Sequence, residues 1–254
     1  MNYNFSKKQL SDYKEKGFLI SKNFFKKKDI KNLVLWIDEV ENFKETKGKW
    51  MKYYDPSLKN KKRFILTRIE NFIDYHKKFK AFILKKKILN QLKKISGDDV
   101  VLFKDKINFK YPGAKGFKAH QDATIWEGMY GIKSFLTMVI SIDHSNKKNG
   151  RLEIAENNDK NGLVSQAWKE MPKSIEGKMS WVPVNTSPGD LIIFNDYTPH
   201  RSSDNFSNSR RRMLFLTFNF KKDGDHRKKH FKDKRKNFPP NLERKMGKNY
   251  VFHI

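Results

Sequence analysis

Two short segments carry the residue types from which a reactive centre can be built. One is Gly116-Phe-Lys-Ala-His120-Gln121-Asp122; the other, far downstream, is Asp196-Tyr-Thr-Pro-His200-Arg-Ser202, followed by Asn208-Ser-Arg-Arg211-Arg. His120 and Asp122 are two apart, so on a strand both side chains leave the same face. A neutral imidazole and a carboxylate on one face make half of a metal site. A second histidine from another strand, His200, completes a two-His-one-carboxylate facial triad, a donor set that suits Fe(II) and leaves coordination positions open. Those positions admit a bidentate co-substrate and then O2, and a basic residue near 211 would hold a dicarboxylate co-substrate. His-x-Asp alone is equally compatible with a surface histidine in a loop. The reading rests on a conjunction: a glycine-led approach, flanking strands, a distal histidine after a Pro-Gly-Asp turn and strand, and arginines ten to twelve residues beyond it.

Such segments need a scaffold that brings them together. After Gly97 the chain breaks into short β-branched or aromatic stretches: Val100–Phe103, Ile107–Tyr111, Ile132–Ile142, Leu152–Ala155, Ser180–Val184, Leu191–Phe194 and Met213–Phe220. Turn signals at Pro112-Gly113, Asn149-Gly150 and Pro188-Gly189 separate them. Strands in such succession predict a mainly β core, a double-stranded β-helix of the jelly-roll, cupin-like kind, with flanking helices. Upstream, residues 7–16 read as a polar helix stopped by Gly17, then a strand at Phe18-Leu-Ile-Ser. Asp29 reads as the cap of a helix whose Ile30, Leu33, Val34, Ile37 and Val40 keep a 3.6-residue period. Residues 44–62 read as a charged loop and 63–69 as a strand. A helical region follows to about 95, with Phe79, Phe82, Ile83, Ile88, Leu89 and Leu92 as its apolar face. The insert 157–179 is expected to carry a short helix, and the basic tail to pack outside the barrel. The whole of 1–254 reads as one domain: a helical wrapper over 1–97, the core over 98–220 and the tail over 221–254.

Composition bounds the rest. Hydrophobic content of 37% with 21 Phe and 5 Trp suits a globular chain, and the absence of cysteine excludes disulfides, cysteine-zinc sites and thiol catalysis. No apolar run reaches membrane-spanning length, and the first residues lack the apolar stretch of a secretory signal. A cytoplasmic protein without a membrane partner is the expectation. A formal charge of +27 would suit a nucleic-acid binder. The cations are scattered through every segment, however, in a chain rich in Lys, Asn, Ile and Phe, so the charge reads first as compositional. Either way the surface should attract small anions.

The ordered set of motifs resembles the phytanoyl-CoA dioxygenase family of Fe(II)/2-oxoglutarate oxygenases, which includes ectoine hydroxylase. The resemblance runs through Gly17-Phe-Leu-Ile, Lys106-Ile-Asn108-Phe-Lys, His120-Gln-Asp122, Ser141-Ile-Asp143, Asn149-Gly-Arg-Leu-Glu153, Pro188-Gly-Asp190, Pro199-His200-Arg-Ser202 and Arg210-Arg-Arg. It implies that His120, Asp122 and His200 are iron ligands and the catalytic centre. It also implies that Arg211, eleven residues after His200, grips the distal carboxylate of 2-oxoglutarate, a task suited to a planar, permanently charged guanidinium. Ser202 matches a hydroxyl donor to the same carboxylate. Asn108 and Thr137 are expected to face the site if their strands run as predicted. Strand alternation places Arg210 and Arg212 opposite Arg211, toward solvent or the tail. The implied cycle consumes 2-oxoglutarate and O2, releases succinate and CO2, and hydroxylates an unactivated C–H; Asp122 in the ligand set favours hydroxylation over halogenation.

For the substrate, residues 123–131 with Trp126 and Tyr130 are expected to form a lid, with Gln121 beside the ligands. Lys106, Lys110 and Lys118 lie on the approach, where a cation could meet an anionic molecule. Simple packing for Trp126 and solvation for the lysines are the plain alternatives. The approach strand, the His-Gln-Asp core and the tail Phe231-Lys-Asp-Lys-Arg-Lys-Asn-Phe-Pro-Pro resemble a bacterial branch of small-molecule hydroxylases, among them enzymes acting on 2-aminoethylphosphonate. A small anionic metabolite such as that phosphonate is the expected substrate. The competing readings are another small molecule or an acyl-CoA, a nucleic-acid demethylase, and a non-catalytic ligand-binding jelly-roll.

Overall fold

A computed structural model describes residues 3–132, 135–156, 162–164 and 170–250. In chain order the elements are α1 (Lys7–Lys16), β1 (Phe18–Ser21), α2 (Lys27–Glu41), β2 (Met51–Pro56), β3 (Phe64–Glu70), α3 (Lys77–Ile83) and α4 (Lys86–Ser96). Then follow β4 (Val100–Lys110), β5 (Phe117–His120), α5 (Ala123–Tyr130), β6 (Phe135–Ser141), β7 (Leu152–Ala155) and α6 (Lys173–Glu176). The chain continues with β8 (Trp181–Val184), β9 (Leu191–Asn195), β10 (His200–Ser202), β11 (Arg211–Phe220) and α7 (Arg227–Asn237). A seven-stranded antiparallel sheet runs β1-β9-β6-β11-β4-β3-β2, and a four-stranded antiparallel sheet runs β5-β10-β7-β8. The two form the jelly-roll expected from the sequence.

In the large sheet β6, β9 and β11 are buried on both faces, which explains why they are mostly apolar. On β6, β9 and β11 alternate residues divide cleanly. Met138, Ile140, Leu191, Ile193, Leu214 and Leu216 point outward onto Leu33 and Ile37 of α2, Phe79 and Ile83 of α3, and Ile88 and Leu92 of α4. Val139, Ile192, Phe194, Met213 and Phe215 point inward, onto Leu152, Ile154 and Val184 of the small sheet. The amphipathic helices therefore back the sheet, and the space between the sheets is where a site can sit.

Local chemistry sets several boundaries. Ser6 and Gln9 cap α1 reciprocally, and Gly17 ends it in the left-handed region at φ 79°. Asp29 stabilises the start of α2 from the third helical position rather than capping it: Lys26 is the cap residue, and its backbone N–H donates to the Asp29 carboxylate at 3.2 Å.

Three other expectations need correction. The predicted strands Val100–Phe103 and Ile107–Tyr111 are one strand, β4, because the polar residues between them find partners. Asp105 accepts the backbone N–H groups of Phe72 and Ile73 and pairs with Arg227, while Lys106 turns between the sheets. The charged loop 44–62 contains β2, stabilised by pairing with β3 rather than by its own apolar pattern. The strand foreseen over Ile132–Ile142 begins at Phe135 and ends at Ser141, with 133–134 outside the described residues. The tail is outside the barrel yet firmly docked: Phe231 of α7 packs with Met51 and Tyr53, and Lys234 pairs with the buried Glu70 at 2.6 Å. Of the insert 157–179, the expected short helix is α6; residues 157–161 and 165–169 lie outside the described residues.

Candidate active site

The small sheet builds the centre. β10 lies between β5 and β7, and in its register with β5 His200 is the direct partner of His120. Cross-strand partners present their side chains on the same face, and the two imidazole centroids are 4.2 Å apart. Asp122 arrives by a different route from the one expected. β5 ends at His120, and the aspartate is the N-cap residue of α5, already helical at φ −65° and ψ −32°. Helical entry rather than strand alternation turns its carboxylate toward the imidazoles. One ligand atom from each of the three residues lies within 4.8 Å of the others.

The orientation of the imidazoles suits a metal. His120 Nδ1 donates to the Lys118 carbonyl at 2.6 Å and His200 Nδ1 to the Thr198 carbonyl at 3.1 Å. A proton committed to Nδ1 leaves the Nε2 lone pair free, the arrangement that backbone carbonyls impose on metal-binding histidines. Burial, reinforced by the neighbouring His200, pulls His120 down to about 3; burial likewise lowers His200. Both are therefore neutral donors. Burial opposes charge on Asp122, yet its positive surroundings, Lys104 and Lys106 among them, outweigh it and hold the carboxyl below its ordinary value. Two neutral imidazoles and an anionic carboxylate fit a divalent iron with positions to spare.

The same cleft takes in Lys106, Asn108, Ser202 and Arg211, with Phe117, Leu152 and Phe215 as its apolar wall. Arg211 is 2% exposed, and its guanidinium donates to the Gly150 carbonyl at 2.6 Å while its Nε has no partner. Burial pulls it down to about 10, so it is cationic at neutral pH. A buried guanidinium with an unused N–H is a prepared receptor for a carboxylate. Ser202 Oγ accepts from Lys110 Nζ at 2.8 Å and from the Phe117 N–H at 3.2 Å, which leaves its own proton to donate. Close approach accounts for Gly116: a Cβ there would stand 2.1 Å from the Ser202 carbonyl oxygen.

A second hollow, of about 360 Å³, shares Asn108, Phe117 and His120 with this cleft. Its walls carry Arg68, Lys110, Lys115 and Lys118 against Asp55 and Glu170.

Other sequence-predicted residues fall elsewhere. Thr137 spends its hydroxyl on Thr217, at 3.0 Å, and does not line the cleft. Gln121 is fully buried as a staple: its amide reaches the carbonyls of Gly162 and Tyr197, and its oxygen takes the Val164 N–H. Trp126 packs with Phe103, Ile132 and Phe135, so its ring is core rather than lid. Tyr130 turns outward to α7, its hydroxyl 3.4 Å from His230 and 3.5 Å from Asp233. Arg212 is buried and paired with Asp143 and Asp38 instead of facing solvent. Phe215, Arg68 and Glu170 escaped the sequence reading. Phe215 was within reach of it, four residues after Arg211 and hence on the same strand face; the other two depend on tertiary neighbours.

Comparison with known proteins agrees with this geometry. The family model described as Phytanoyl-CoA dioxygenase (PhyH) matches residues 13–213. The chain is 41% identical over 251 residues to a 2-aminoethylphosphonate dioxygenase of the uncultured bacterium HF130_AEPn_1, covering 98% of this chain and 95% of that relative. It is 29% identical to a methylphosphonate hydroxylase of Gimesia maris, covering 94% and 90%. Among solved structures, EctD from S. alaskensis with 2-oxoglutarate and 5-hydroxyectoine superposes with a TM-score of 0.74 at 15% identity, covering 86% of this chain and 77% of that one.

Proposed function

The chain belongs to the phytanoyl-CoA dioxygenase family of Fe(II)/2-oxoglutarate-dependent dioxygenases, and on that premise we propose that it hydroxylates a small phosphonate, 2-aminoethylphosphonate first among candidates, with iron held by His120, Asp122 and His200. One observation carries the reading: the triad and the incompletely partnered Arg211 line a single buried cleft.

When bound, Fe(II) with 2-oxoglutarate and O2 supplies the oxidising power that inserts one oxygen atom into a C–H bond and places the other in succinate, with loss of CO2. Everything else falls to the chain's own residues. Arg211 and Ser202 take the distal carboxylate of 2-oxoglutarate, the first as a charged N–H donor and the second through its free hydroxyl proton. Phe117, Leu152 and Phe215 exclude water from the cleft. Lys106 holds its ammonium beside the triad, over the rings of Phe117 and Phe215 at 5.4 and 4.8 Å from their centroids. Together with Arg68 and Lys118 in the adjoining hollow, it makes the substrate side cationic and suited to a phosphonate anion. No described helix is long and apolar enough to cross a membrane.

The test is stoichiometric. Protein reconstituted with Fe(II) and given 2-oxoglutarate, O2 and 2-aminoethylphosphonate should yield succinate and hydroxylated phosphonate in equal amounts. Succinate formation that no phosphonate stimulates would overturn the assignment.

A further inference from the structure

The hollow next to the iron triad holds carboxylates that are not among the metal-ligand candidates. Among its described lining residues are two, Asp55 and Glu170. Asp55 already accepts the Thr67 hydroxyl at 2.6 Å. Glu170 has no hydrogen bond or ion pair among the described residues, although Lys115 and Lys118 line the same hollow in a chain with 55 Lys and Arg against 28 Asp and Glu. Its place is set by its neighbour: the Met171 N–H donates to the Ala119 carbonyl at 3.1 Å, which pins this segment beside the strand that delivers His120. A second feature points to a ligand independently. Asn108 borders both the hollow and the cleft, is 4% exposed, and has a carbonyl oxygen without a partner. A buried acceptor left unmet calls for a donor.

We propose that Glu170, together with the Asn108 oxygen that lines the same hollow, recognises a cationic ammonium on the substrate and so makes the enzyme select an aminoalkylphosphonate over an alkylphosphonate of the same shape. This rests on the phosphonate reading above and deepens it. A zwitterion fits the charges present: its phosphonate goes to Lys106 and Arg68, its ammonium to Glu170 and to the oxygen of Asn108, the cross-strand partner of Arg68. Glu170 is exposed in the free protein, whereas the Asn108 oxygen is buried; an alkylphosphonate would leave that oxygen unanswered, and discrimination through an unpaired buried polar group is steep. The two phosphonate-acting relatives, one named for an amino-substituted substrate and one for methylphosphonate, make the distinction concrete.

The experiment compares kcat/KM for 2-aminoethylphosphonate and for propylphosphonate, in which a methyl replaces the ammonium. The wild-type enzyme should prefer the amine. Glu170→Gln should reduce that preference about 10- to 100-fold, mostly through KM for the amine, as expected for loss of a charged hydrogen-bond partner. Glu170→Asp should retain part of it, and Asp55→Asn should change it less than Glu170→Gln. Equal wild-type use of both phosphonates, a preference unmoved by Glu170→Gln, or a larger effect from Asp55→Asn would each overturn the proposal while leaving phosphonate hydroxylation intact. Absence of phosphonate-dependent succinate from the wild-type enzyme removes the functional reading itself, and this one with it.

Discussion

Arg211 and Arg212 are neighbours on β11, and both are buried to the same 2% exposure. Their faces are opposite and so are their circumstances. Arg212 points outward, where its guanidinium makes two hydrogen bonds to Asp143 at 2.9 and 3.0 Å and one to Asp38 at 2.6 Å. Arg211 points between the sheets, holds one backbone carbonyl, and keeps an N–H unused. The same contrast separates two larger regions. Where the tail docks, buried charges cancel within the chain: Lys234 pairs with Glu70 and Arg227 with Asp105. In the cleft, Lys106 and Arg211 exceed what Asp122 can balance. Buried charge alone is therefore no mark of function; buried charge left over is, because only a bound molecule can balance it.

Substitutions can break this contrast from either side. The largest effect is expected at the triad: His200→Ala should abolish iron binding and succinate formation together, and a variant that still binds iron and turns over would break the ligand assignment. Arg211→Ala should raise the KM for 2-oxoglutarate about 100-fold, with far less effect on iron affinity, since the substitution removes the cationic partner of a buried carboxylate. Titrating iron and co-substrate separately checks it; equal losses in both would sink the division of roles. Across the strand, Arg212→Ala should leave the KM for 2-oxoglutarate alone and act on stability. In the tail, Lys234→Met removes the nearest partner of the fully buried Glu70 carboxylate, leaves Arg68 at 3.5 Å, and should cost about 1–3 kcal/mol in urea unfolding. Burial opposes the Glu70 charge, but Lys234, Lys104, Arg68 and Lys106 more than offset it and depress the pKa. That contribution is therefore present above the ordinary value of 4.5 and is lost as the pH falls below it toward the depressed folded-state value. Replacing Glu70 by Gln should flatten the acid limb of the stability curve.

The smallest effect is a pH dependence. Burial, with Lys104 nearby, pulls the Lys106 ammonium down to about 7. Its cation is present below that pH and is lost above it, so phosphonate affinity should weaken a few-fold as the pH rises through about 7. Lys106→Arg should remove the dependence. Comparing the two proteins cancels the ionisation of the phosphonate itself, and superimposable profiles would exclude Lys106 from substrate binding.

Much of the fold was readable because it rests on local rules. β6 and β9 are apolar runs of strand length, and the 3.6-residue period of α2 is explicit. β2 was not readable, since its charged residues are held by pairing with β3 rather than by their own pattern. The site was readable in its residue types and only partly in its geometry. The spacing of His120 and Asp122 suggested one strand, whereas the chain turns helical between them and still brings the carboxylate to the imidazoles. Gln121, Trp126 and Tyr130 sat at suggestive positions, yet each is satisfied elsewhere: by backbone amides and carbonyls, by an aromatic core, and by α7.

The amino-acid order by itself determined which donors exist, two imidazoles, a carboxylate and an arginine at defined separations, because donor chemistry belongs to the side chain and strand periodicity follows from the backbone. Tertiary structure alone decided which charges are spent and which are spare. Whether Arg211 or Arg212 finds a carboxylate, and whether Glu170 finds a lysine, depends on distances between segments remote in sequence, and Coulomb interactions act through space rather than along the chain.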